Sequence, residues 1–147
     1  MDSLTTLEVI VRLMVAALLC AAVGFEREYH RKPAGIRTNM LVGIGTAVMT
    51  IASIEMAQLS SSPASVNISQ LAAAVITGIG FIGAGAIIHA RGAVHGLTTA
   101  ASIWVVASIG IVSGMGLYHV AVVATVLTMV ILAVLRGVQI PEEPETK

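Results

Sequence analysis

The sequence is poor in what a water-soluble domain uses to cover its surface. Of its 147 residues only 11% are charged and 3% aromatic, and there is a single cysteine, Cys20. A soluble domain carries charge on roughly a quarter of its residues, so this chain in water would leave most of its apolar area exposed. The lone cysteine excludes an intrachain disulfide and a cysteine-cluster metal centre. Neither sign of charge is in excess, with eight basic and eight acidic side chains, so nothing in the balance points to nucleic acid or another polyanion. No basic residue precedes the first apolar run, where Asp2 and Glu8 stand instead. That run therefore lacks the marks of a cleavable signal and is expected to stay in the mature chain.

Apolar residues are abundant. They make up 56% of the chain and raise its mean hydropathy to +0.94. A bilayer core about 30 Å thick needs about 20 helical residues. Five runs of that order occur, over residues 4–23, 40–59, 71–89, 97–114 and 117–135. Residues 92 to 135, 44 in all, contain no Asp, Glu, Lys or Arg. That is twice one span, so the stretch must turn back, and Gly114-Met115-Gly116 supplies the turn. The expected fold is an all-α polytopic membrane protein of five transmembrane helices over residues 1–138, followed by a short acidic tail over 139–147.

The basic residues set an expected orientation. Arg27, Arg31, Lys32 and Arg37 lie between the first two runs, Arg91 between the third and fourth, and Arg136 and Lys147 after the fifth. All seven fall on one side, which becomes the cytoplasm, with the amino terminus outside and the carboxyl terminus inside. The uncharged stretch 60–69 is then an outer loop. At an offset of 61, Gly24, Gly35, Ile36 and Thr38 fall on Gly85, Gly96, Leu97 and Thr99. This is the pattern of a parallel repeat of two helical hairpins with the fifth helix added, or of chance likeness between two glycine-rich hairpins.

Gly78-Ile79-Gly80-Phe81-Ile82-Gly83 has the letters of a dinucleotide fingerprint, but it lies inside an apolar run with no acidic residue about twenty positions on. Gly78, Gly80, Gly83 and Gly85, with Gly110 and Gly114, instead suit close helix packing, or a broken helix lining a pathway. Three ionisable residues fall within the spans. Glu8 and Arg12 share a face of the first and Glu55 lies near the outer end of the second. They form either a headgroup-zone set in which Arg12 needs a partner, or a cluster in an outward-open cavity suited to a cation or proton. His30, His89, His95 and His119 lack metal-ligand spacing, and no nucleophile and base constellation stands out, so neither a metal, a cofactor nor enzymatic activity is expected.

Three segments carry a family resemblance. Gly24-Phe25-Glu26-Arg27 with Lys32-Pro33-Ala34-Gly35-Ile36-Arg37-Thr38 is the first, Gly78 to Ile87 the second, and Gly96-Leu97-Thr98-Thr99-Ala100-Ala101-Ser102-Ile103-Trp104 the third. In this order and spacing they resemble the signature segments of the MgtC/SapB family, over a stretch from Leu13 to Arg136. The resemblance implies a bacterial inner-membrane protein linked to growth at low magnesium and, in pathogens, to survival inside macrophages. It implies a regulator of other membrane machinery, with the F-type ATP synthase as the partner proposed for the family. Longer members add a soluble carboxyl-terminal domain not found in this sequence, so the short SapB-like form is expected. The reading adopted is an accessory protein in adaptation to low magnesium. A small cation or proton transporter is the alternative, and a homo-oligomer follows from how few helix faces five spans bury.

The functional site is expected on the inner face, from Glu26, Arg27, Arg37, Thr38, Arg91, Thr98 and Thr99. Thr38 and Thr98 or Thr99 have the chemistry of N-caps for the second and fourth helices. Arg27 and Arg37 would make the pocket cationic, with Glu26 as counter-charge beside Arg37 or Arg91.

Overall fold

The computed structural model describes residues 4–59, 68–90 and 93–135. Five helices run in chain order: α1 (Thr6–Tyr29), α2 (Ile36–Leu59), α3 (Ile68–Gly85), α4 (Leu97–Gly114) and α5 (Tyr118–Val134). Between α3 and α4 lies an antiparallel hairpin, β1 (Ile88–Ala90) and β2 (Ala93–His95), pairing Ile88 with His95. The fold is all-helical in its bulk. Helices α1, α2 and α4 are each long and apolar enough to cross a membrane, while α5 and the Ala73–Gly85 stretch of α3 are shorter apolar helices.

Helix ends follow local chemistry. α1 does not stop at the first charged residue but continues to Tyr29, because Glu26, Arg27 and Glu28 are good helix formers. It closes where Arg31 takes a positive φ of 53° and the Lys32 and Arg31 amides bond back to the carbonyls of Arg27 and Glu28. The same closure ends α4, with Gly116 at φ 81° and the Leu117 and Gly116 amides bonded to Val112 and Ser113. The turn expected at Gly114-Met115-Gly116 is thus present.

Four expectations are corrected here. α1 runs past residue 23, and α2 begins at Ile36 rather than near residue 40. α3 stops at Gly85, and residues 88–90, expected to be helical, form β1. The β-branched residues Ile87, Ile88 and Val94 suit short strands, and Gly96 at φ 90° sits so close to the Ala86 carbonyl that no side chain fits there. Finally, Thr38 is not the N-cap of α2. The Glu28 carboxylate accepts the Ile36 amide at 2.9 Å in its place.

α4 is the central helix and packs on the other four, whereas α3 touches only α4 and α2 to any extent. The core is narrow. Cys20, Val23, Val106, Ile109 and Ala121 form one buried cluster, and Ile79, Ile103 and Ala107 a second. Close approach depends on Gly43 against Cys20, Gly110 against Thr46 and the Gly43 backbone, and Gly114 against Ala47. Small residues allow this contact where lipid offers no hydrophobic drive. Of the glycines expected to serve packing in α3, Gly83 meets Ala100, but Gly78, Gly80 and Gly85 meet nothing among the described residues. Large apolar side chains such as Leu18, Leu41, Phe81 and Val130 point outward from the bundle, which is an inverted surface by the standards of a soluble fold.

Candidate functional site

At the end of the bundle where α1 and α5 finish and α4 begins, a cleft of about 680 Å³ opens. Glu26, Arg27, His30, Lys32 and Pro33 line one wall, residues 94–99 a second, and Ile131, Leu132 and Leu135 a third. The loops following α1 and preceding α4, which sequence reasoning put together, thus meet at one cleft.

Arg27 is only 4% exposed and its Nη2 donates to Thr99 Oγ1 at 2.6 Å. Its Nε is buried with no hydrogen-bond partner among the described residues. Glu26 is 7% exposed, and its Oε1 lies 2.9 Å from His30 Nδ1. Its second carboxylate oxygen, Oε2, is buried and likewise unpartnered. His30 Nδ1 also lies 2.9 Å from the Glu26 carbonyl, so this nitrogen, facing two acceptors, carries the hydrogen. An unsatisfied buried polar atom costs about 1–3 kcal/mol. Glu26 and Arg27 both line the cleft, so a donor and an acceptor reaching these atoms from it would be stabilising.

The start of α4 adds to this. Its N-cap, Gly96, is in the left-handed region and offers no side-chain cap. The amides of an uncapped first turn present partial positive charge, here toward the cleft that Gly96, Leu97, Thr98 and Thr99 line. The N-cap role expected of Thr98 or Thr99 is therefore corrected: Thr99 is the acceptor that positions Arg27.

The remaining expected residues divide. Arg37 and Thr38 are exposed on α2 and do not line the cleft. Arg91 lies outside the described residues, as do most of the outer loop 60–69 and the tail 139–147. Glu26 takes His30, four residues on at the C-cap of α1, as its partner, and this is the only contact within salt-bridge distance between an acidic side chain and a basic or histidine side chain among the described residues. That i,i+4 spacing was legible in the sequence, but only to a reading that carried α1 past residue 23. Asn39 was missed altogether. It is fully buried, and its Nδ2 donates to the carbonyls of Ala34 and Gly35, fixing the turn before α2.

At the opposite end Glu8, Arg12 and Glu55 make separate contacts. Glu8 makes a capping box with Thr5, and Glu55 Oε1 accepts the Leu4 amide at 2.9 Å, so both carboxylates stand at the start of α1. Arg12 Nη1 donates to the Gly114 carbonyl at 2.7 Å and pairs with neither carboxylate. Acid at a helix start and base at a helix end is the arrangement that helix dipoles favour.

Outward apolar helices around a small-residue core, with the charges gathered at the ends, define an α-helical membrane protein. The chain belongs to the MgtC family, whose family model matches residues 13–140. It is 44% identical over 131 residues to YhiD of Escherichia coli strain K12, a candidate magnesium transporter by its name, covering 88% of this chain and 61% of YhiD. It is 39% identical over 127 residues to MgtC of Salmonella typhimurium strain LT2, covering 86% of this chain and 52% of that protein. The chain thus spans 61% of the length of YhiD and 52% of that of MgtC. No solved structure matches it.

Proposed function

We propose that this chain is a five-span inner-membrane accessory protein of adaptation to low magnesium, and that it works through the Glu26–Arg27 cleft on the cytoplasmic side by engaging another membrane protein. The amino terminus is then outside and the carboxyl terminus inside, an orientation that the seven-residue basic bias supports. The observation that carries the reading is that Glu26 and Arg27 are both buried and half-satisfied at the end of the bundle where Arg31, Lys32 and Arg37 also lie.

The interior supports an accessory role over ion passage. The buried hydroxyls of Thr46, Thr50, Ser102, Ser113, Thr125 and Thr128 all donate to carbonyls three or four residues back in their own helices. These oxygens keep their lone pairs but are neutral, and between Arg12 and Glu26 the described helices carry no charged side chain to offset the dehydration of a divalent cation.

The name of YhiD keeps transport as the competing reading, and one pair of measurements separates them. Growth of a deletion strain at low magnesium should be restored by the wild-type chain and not by Glu26→Ala, with both proteins in the membrane. Proteoliposomes of the purified protein should show no magnesium or proton uptake above empty vesicles. Uptake that Glu26→Ala abolishes would overturn the accessory role.

A further inference from the structure

The cleft has the chemistry of an occupant that is charged at one end and apolar at the other. Its charged wall holds Arg27 and Lys32 beside a single carboxylate, Glu26, the only acidic side chain among the described lining residues. Its third wall is the last stretch of α5, where Ile131 and Leu135 are more than half exposed. In a membrane-spanning bundle that wall continues into the lipid-facing surface, so the cleft lies where headgroups meet acyl chains. We infer that the cleft binds the headgroup of an aminophospholipid: the phosphodiester at Arg27, Lys32 and the first turn of α4, and the ammonium at Glu26.

Each half of the headgroup answers a separate observation. Arg27 Nε is a buried donor without a partner, and beside it α4 opens with no side-chain cap. A phosphodiester offers oxygen acceptors and one negative charge to both. Glu26 Oε2 is a buried acceptor without a partner, since His30 engages the other oxygen. A primary ammonium supplies the missing donor together with the opposite charge. A bare divalent cation would satisfy Glu26 but would face Arg27 and Lys32, and a simple anion would satisfy Arg27 but leave Glu26 facing like charge. A ligand carrying both groups answers both atoms.

The inference rests on the reading of this cleft as the functional site, yet binding can be measured apart from growth. The full chain, purified in detergent, would be titrated with phosphatidylethanolamine, phosphatidylcholine and phosphatidylglycerol of equal chain length, with adducts counted by native mass spectrometry. Soluble glycerophosphoethanolamine and a Glu-rich peptide would serve as competitors. Phosphatidylethanolamine should bind about tenfold more tightly than phosphatidylcholine, whose quaternary ammonium has no N–H for Glu26. Glu26→Gln should erase that preference while phosphatidylcholine binding persists, a selective change that misfolding does not produce. Arg27→Gln should lower binding of all three lipids, and Arg37→Ala, outside the cleft, should change none.

Equal binding of the three lipids by the wild type, or an unaltered preference in Glu26→Gln, would overturn the inference. Displacement by glycerophosphoethanolamine at the lipid's own concentration would reassign the site to a soluble phosphate ester, and displacement by the acidic peptide alone to a protein segment. Either result overturns the lipid assignment. If Glu26→Ala fails to support growth while binding is lipid-indifferent, the functional reading of the cleft stands and the lipid inference falls. Lipid selectivity with normal growth reverses that outcome.

Discussion

Arg12 in α1 donates a 2.7 Å hydrogen bond to the carbonyl of Gly114, 102 positions along the chain, and so ties the first helix to the end of the fourth. Gly114 is the last residue of α4, where carbonyls have no amide above them and the helix dipole is negative. The guanidinium also lies against Gly116, the left-handed residue that closes the turn into α5. Arg12→Leu should therefore destabilise the bundle by about 1–3 kcal/mol, read as faster hydrogen exchange at the 111–117 amides. Protection unchanged at those amides would show that the bond contributes nothing.

The glycines of this chain make opposite predictions according to what faces them. A Cβ on Gly110 would meet the Thr46 hydroxyl and the Gly43 backbone, and the backbone cannot give way without parting α2 from α4. Gly110→Ala should cost about 1–3 kcal/mol, the usual range for an overpacked contact. Gly78 and Gly80 meet nothing among the described residues, so Gly78→Ala should be neutral or stabilising by up to about 1 kcal/mol, since alanine is the better helix former. Unfolding of the two variants in mixed micelles checks both signs at once. A loss at Gly78 equal to that at Gly110 would mean that α3 has a partner on that face.

Hydropathy made the helices legible because lipid-facing and core-facing residues are both apolar here, so run length alone marks a helix. The same property hid which face of each helix is inward. The letters of Gly78, Gly80, Gly83 and Gly85 resemble those of Gly110 and Gly114, and only the packing of α3 at the edge of the bundle sets them apart. The site was legible as a set of charged residues near two loops. Its internal pairing was not, because a reading by charge ended α1 at residue 23 and placed Glu26 and Arg27 in a loop. On a helix their side chains take defined directions, Arg27 toward Thr99 and Glu26 toward His30. The hairpin between α3 and α4 escaped notice because three-residue strands carry too little alternation to be recognised.

The distinction between Arg27 and Arg37 gives the sharpest functional prediction. Both lie in the basic stretch between the first two apolar runs, and on charge alone they are equivalent. In the fold Arg27 is buried against Thr99 on the cleft wall, while Arg37 is exposed on α2 and outside the cleft. If the cleft is the working site, Arg37→Ala should support growth at low magnesium as well as the wild type does. Arg27→Ala should fail even where the protein reaches the membrane at normal abundance. Arg27→Lys keeps the charge but not the planar fork that holds Thr99 and presents Nε together, so it should restore growth only in part. Thr99→Val, which frees the guanidinium without removing it, should give a similar partial loss. Membrane abundance and thermal unfolding in detergent must be read alongside, because a buried arginine also contributes to packing. Failure of Arg37→Ala with full growth of Arg27→Ala would move the site out of the cleft and onto the exposed face of α2.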